Sequence, residues 1–105
     1  GQFSNAAALV DGAVALDYET DMYSTLLLEE DSTLGDPSNK PAGDEAGILI
    51  KVTEDGSGGW TLSFNAAIDF SDHDSAVNTD IDAVTWYFIW TDGTDNFARK
   101  LWVSN

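Results

Sequence analysis

The run from Asp82 to Val103 leaves few folds open to this chain. It reads AVTWYFIW, then TDGTDN, then FARKLWV, two stretches of β-branched and aromatic residues around a reversal. Asp92-Gly93 tolerates the left-handed backbone of a tight turn, so the stretch predicts a β-hairpin. Side chains alternate across a strand, which places Val84, Trp86, Phe88 and Trp90 on one face and Thr85, Tyr87, Ile89 and Thr91 on the other. Both faces are largely apolar, the pattern of a central strand covered on two sides. Trp86 and Trp90, with Trp60, are expected in the core.

The chain before this hairpin divides into short strands. Residues 1–11 read as an N-terminal arm with Phe3, Leu9 and Val10 as isolated apolar side chains, ordered only when docked. Residues 12–105 form a single domain. Val14, Leu16 and Tyr18 alternate with polar and small residues in a first strand, and YSTLLLE from Tyr23 is a second. Glu30 to Glu45 holds both prolines among Ser, Asn and Asp, and is expected to be a long exposed loop. GILIKVTE, with Ile48, Ile50 and Val52 inward, is a third strand. DGSGG at Asp55 to Gly59 then turns the chain into WTLSFNAAIDF, a second antiparallel hairpin. With no helical repeat of any length, these signals predict an all-β fold, a small antiparallel β-sandwich or jelly-roll-like barrel of about six to eight strands.

Composition narrows the function. Four cations face nineteen carboxylates, for a formal charge of −15. Such a chain repels phosphate backbones and anionic membranes, so no nucleic acid and no membrane partner is expected. There is no cysteine, hence no disulfide framework or thiolate metal site. No apolar run approaches the length of a membrane span, and the first residues lack the basic start of a secretory signal.

Chemistry has few parts to work with. The one histidine, His73, sits between Asp72 and Asp74 in a polar loop, and a catalytic relay through Ser71 or Ser75 would need a geometry that neighbouring loop residues rarely reach. No catalytic residue is assigned, and no cofactor. Asp69, Asp72, Asp74, Asp80 and Asp82 cluster around the same loop and supply the hard oxygen donors that Ca²⁺ takes, without the glycine and distal glutamate of an EF-hand. A solvated acidic loop is the simpler reading. Trp102 alternates with Lys100 and Ser104 and is expected on the outer face together with Tyr87. The pair could stack on a sugar or pack against another subunit.

The order of these features resembles the β-sandwich modules of tailed-phage virions, found in tail-fibre tips, head fibres and capsid decoration proteins. Leu26-Leu27-Leu28 ends a strand, Ala46-Gly47 leads into Ile48 to Val52, and Gly58-Gly59-Trp60-Thr61-Leu62 crosses a hairpin. A loop then ends at Asp80 or Asp82, and a long apolar strand runs into Asp92-Gly93-Thr94 before an aromatic-rich final strand. The resemblance spans roughly residues 12 to 104. It implies a non-enzymatic module on the virion surface, a homotrimer bound to a major capsid or fibre protein. Capsid decoration is favoured over a fibre tip because no coiled-coil or repetitive shaft precedes the domain. In that reading Phe3, Leu9 and Val10 tie the arm to a neighbour. The alternative is a carbohydrate-binding module that meets a surface glycan through Tyr87 and Trp102.

Overall fold

The structure, a computed structural model, describes residues 6–104. It is all-β, with no helix among the described residues. The strands are β1 (Ala7–Ala8), β2 (Ala13–Val14), β3 (Tyr23–Leu28), β4 (Ser32–Leu34), β5 (Ala46–Glu54), β6 (Leu62–Phe64), β7 (Ile68–Asp69), β8 (Val84–Thr91) and β9 (Asn96–Val103). Six of them form one sheet in the order β1-β3-β5-β8-β9-β7, and β2-β4-β6 form a second.

The small sheet is parallel and the large one is mixed, which corrects the expectation of a purely antiparallel fold. β1, β3 and β5 pair in parallel in the large sheet, and β2, β4 and β6 do so in the small one. The first six strands thus make three stacked turns of a coil, each giving one strand to each sheet. Only β5–β8 and β8–β9 are antiparallel. The hairpin expected across DGSGG does not form, because β5 and β6 lie in different sheets. At that corner the Asp55 carboxylate accepts N–H groups from Ser57 (2.9 Å) and Gly58 (3.1 Å) and the Trp60 indole N–H (3.0 Å). Those bonds shape the turn, and the Gly59 N–H donating to Thr79 O (2.7 Å) ties it where the chain crosses to the other sheet. The expected loop at 30–45 likewise contains β4, with Ser32 and Leu34 buried, and an isolated bridge from Ser38 to Asp17.

One hydrophobic core takes side chains from both sheets, among them Leu26, Leu28, Ile48, Ile50, Val52, Tyr87 and Ile89 from the large one and Val14, Leu34 and Leu62 from the small one. Leu16, Tyr18 and Ile68 close it from the connections and from β7. Burial of each such side chain is worth about 1.5–3 kcal/mol. The face of β8 turned inward is Thr85, Tyr87, Ile89 and Thr91, not the tryptophan face. The polar atoms on it are paired: Thr85 Oγ1 accepts from Asn78 N–H (3.0 Å), Tyr87 OH donates to Ser75 O (2.7 Å), and Thr91 Oγ1 donates to Asp95 O (2.6 Å). A hydroxyl with a partner can be buried at little cost, and the two indoles then need not be inside.

The β8–β9 hairpin forms as the sequence predicts. Asp92 Oδ1 accepts N–H groups from Thr94 (2.9 Å) and Asp95 (2.8 Å), and Gly93 holds φ +91°. A Cβ at Gly93 would stand 2.5 Å from Asp44 N and 2.6 Å from Gly43 N, both backbone atoms. Gly93→Ala is therefore expected to lower unfolding stability by about 2 kcal/mol in urea denaturation. Gly56→Ala, where a Cβ meets nothing within 4 Å, is the control and should stay within about 0.5 kcal/mol of the parent.

Candidate functional site

The most distinctive surface is the outer face of the six-stranded sheet. Because side chains alternate, burying Leu26 and Leu28 on β3 turns Tyr23, Thr25 and Leu27 outward, and the same logic turns Gly47, Leu49, Lys51 and Thr53 outward on β5. β8 adds Val84, Trp86, Phe88 and Trp90, and β9 adds Phe97, Arg99 and Trp102. Strand register sets these in rows. Thr25, Lys51, Trp86 and Trp102 make one row, and Tyr23, Leu49, Phe88 and Arg99 the next. Gly47, Trp90 and Phe97 make a third.

The rings on this face pack on one another. Phe88 stacks on Trp90 (centroids 5.6 Å, 19° between planes), and Trp90 leans on Phe97 at 5.7 Å. Tyr23 lies parallel to Trp86 at 6.3 Å. Gly47 makes this possible, since a Cβ there would come within 2.5 Å of the Phe88 ring. Lys51 Nζ stands 5.8 Å from the Trp86 centroid, and the Arg99 guanidinium stands 5.8 Å from that of Trp90. Each such contact is worth about 0.5–1 kcal/mol at an exposed site. The assembly remains open to solvent: Trp102 is 58 % exposed, Leu27 48 % and Phe88 36 %.

Charge is segregated around it. The outward positions of β3, β5, β8 and β9 carry two of the four cations and none of the nineteen carboxylates. The other two cations are held on acidic loops, where Lys100 pairs with Asp74 and Lys40 donates to Thr94 O (2.7 Å).

The residues singled out in the sequence fall in different places. Trp102 is on the outer face as expected, but Tyr87 is fully buried on the opposite face of its strand, and burial pushes its phenol pKa up. Trp86 and Trp90, expected in the core, flank the exposed face instead. Leu9 packs against the chain's own core and donates its N–H to Thr25 O (2.9 Å), while Val10 is 77 % exposed. Phe3 lies outside the described residues.

Among the described residues no three carboxylate or histidine side chains are placed to share a metal ion, so Asp69, Asp72, Asp74, Asp80 and Asp82 do not converge. Two of them shape turns: Asp69 accepts the Ser71 N–H (2.7 Å) and Asp74 the Ala76 N–H (3.0 Å), each two residues on. The Lys100 ammonium and the Ala76 N–H hold Asp74 below the usual carboxylate range. No hydrogen bond among the described residues links the His73 ring to Ser71 or Ser75, and the residue is exposed.

Two features went unseen in the sequence. One is an open cleft of about 730 Å³ beside β7, lined by Phe64, Phe70 and Phe97 together with Asp69, Asp72 and Asp95. The other is Glu54, whose alternation with Thr53 puts it inward at 1 % exposure. Its Oε1 accepts the Trp60 N–H (2.9 Å), and its Oε2 has no partner. Burial raises its pKa against the opposing Trp60 hydrogen bond, with Asp55 and Asp31 adding to the rise.

A carboxyl whose folded pKa is raised binds more protons folded than unfolded, so its contribution to stability is fully present at low pH. It declines as pH rises above the unfolded value of about 4.3. Glu54→Gln should remove that decline: its stability relative to the parent grows from pH 4 to pH 7 in urea titrations. Asp74 and Asp92, both lowered, act in the other direction and in a separate window, below about pH 3.9. No protein-family model, characterised protein or solved structure matches this chain.

Proposed function

We propose that this chain is a non-enzymatic structural module of the virion-surface type, a β-sandwich unit that assembles with copies of itself through the outer face of its six-stranded sheet. The observation that carries this reading is the unpaired half of β8. Its inner face is sealed by the chain's own core, while Trp86, Phe88 and Trp90 on the other side join Leu27, Leu49, Phe97 and Trp102 in one contiguous apolar surface. Surfaces of this kind mark interaction sites, and a core free of carboxylates with a charged surround is the anatomy of a protein interface. The resemblance in feature order to phage virion modules supplies the context: a homotrimer on a capsid or fibre.

Sugar binding by stacking has less behind it. A platform needs free ring faces, and here Trp86 lies against Tyr23 and Lys51, while Trp90 lies against Phe88, Phe97 and Arg99. Trp102 alone keeps a broadly exposed ring.

Light scattering on a sizing column is the direct test, and a trimer is the expected mass. Trp102→Glu and Phe88→Glu should each yield a folded monomer, with a melting temperature close to that of the dissociated parent. A parent that stays monomeric at millimolar concentration would remove the reading.

A further inference from the structure

The cations on the outer face restrict what can cover it. If the same face of another copy closed over it, Lys51 and Arg99 of both chains would be buried with no carboxylate opposite. Arg99 would keep only its hydrogen bonds to Phe70 O (3.0 Å) and Ala98 O (2.7 Å), and burying charge without a counter-charge is costly. A partner surface for this face needs an apolar tip flanked by acids. The chain itself carries one. Asp80-Ile81-Asp82 sits on the turn before β8 and holds Ile81 61 % exposed between two exposed aspartates.

That turn is rigid. Asp80 N–H donates to Asn78 Oδ1 (3.0 Å), Gly59 N–H to Thr79 O (2.7 Å), Asp82 N–H to Asp55 O (3.2 Å) and Ala83 N–H to Asp80 O (3.1 Å). Gly58 packs so closely that a Cβ would meet Ile81 N and Thr79 O at 2.9 Å. An isoleucine presented on a fixed backbone loses little entropy on docking. Of the other strongly exposed apolar residues among the described ones and off the outer face, Val10 and Met22 have an acidic neighbour on one side only and Leu101 has none.

We infer that the Asp80–Asp82 turn of a second copy of this chain docks on the outer sheet face of the first, with Ile81 against the Trp86–Trp102 row and the aspartates facing Lys51 and Arg99. This inference rests on the self-assembly reading above and adds to it the identity of the covering surface.

The test is sedimentation velocity over a concentration series at about 0.1 M salt, where charge contacts are only partly screened. The variants are Ile81→Ser, Asp80→Lys, Lys51→Glu and the double Asp80→Lys/Lys51→Glu, each checked for the parent circular dichroism spectrum. Each single change should weaken association by about tenfold or more, equivalent to ~1.4 kcal/mol. The double change, which reverses both charges, should recover most of that loss. Singles that weaken association without recovery in the double would overturn the pairing. If Ile81→Ser and Asp80→Lys associate like the parent while Trp102→Glu is monomeric, the face is an interface with a different occupant, and this inference fails while the self-assembly reading stands. A monomeric parent would end both.

Discussion

Strand β8 is apolar on both faces, and its own chain covers only one of them. The architecture follows from how that imbalance is met. Inside, Tyr87 and Ile89 fill the space between the sheets, and Thr85 and Thr91 are admitted because their hydroxyls find backbone partners. Outside, the larger rings stack on one another and under two cations, which lowers the apolar area each offers to water without removing it. The result is a folded unit that still carries a contiguous apolar surface, the condition that makes association favourable for a small domain.

The acidity of the chain has an architectural component. Asp17, Asp55, Asp69, Asp74 and Asp92 each accept the N–H two residues on, forming local turns at the corners where the chain changes layer or direction. Backbone amides favour the charged carboxylate, and with the Lys100 ammonium at Asp74 they hold Asp55, Asp74 and Asp92 below the usual carboxylate range. Glu54 is the exception: a carboxyl placed by strand alternation rather than by turn chemistry, it is buried where charge is disfavoured. The same net charge of −15 thus contains groups that stabilise the fold through opposite protonation states.

Much of the strand content was legible in the sequence, and the layering was not. Alternation located β5 and β8, because long half-buried strands write a period of two into the chain; β3 was placed by its short length between turn signals, and β9 as the second arm of the hairpin. Turn chemistry found the Asp92-Gly93 reversal. What failed was the inference that a glycine-rich turn between two strands makes a hairpin. At Asp55 to Gly59 the same residue types serve a corner between sheets, and the choice was made by tertiary contacts with Thr79 to Ile81. β1, β2, β4 and β7 are two or three residues long, too short for any periodicity to register. The face of β8 was misjudged for a related reason: ranking by size favours tryptophan inside, whereas the buried face went to the side chains whose polar atoms had partners close by. The outer aromatic surface therefore could be listed residue by residue from the sequence, but its exposure could not.

The coil of three stacked turns has a kinetic side. Of the strand pairings among the described residues, only β8–β9 joins neighbours along the chain; each of the others except β7–β9, which waits only for β8, must wait until an intervening stretch has crossed to the opposite sheet and returned. Such non-local pairing requires loop closure before any contact rewards it, and folds built this way assemble slowly. Two long strands, β3 and β5, then spend that interval with open edges and apolar faces in the same molecule. The carboxylates concentrated at the corners keep partly folded chains apart by repulsion during that delay. The charge that frames the finished surface protects the chain before the surface exists.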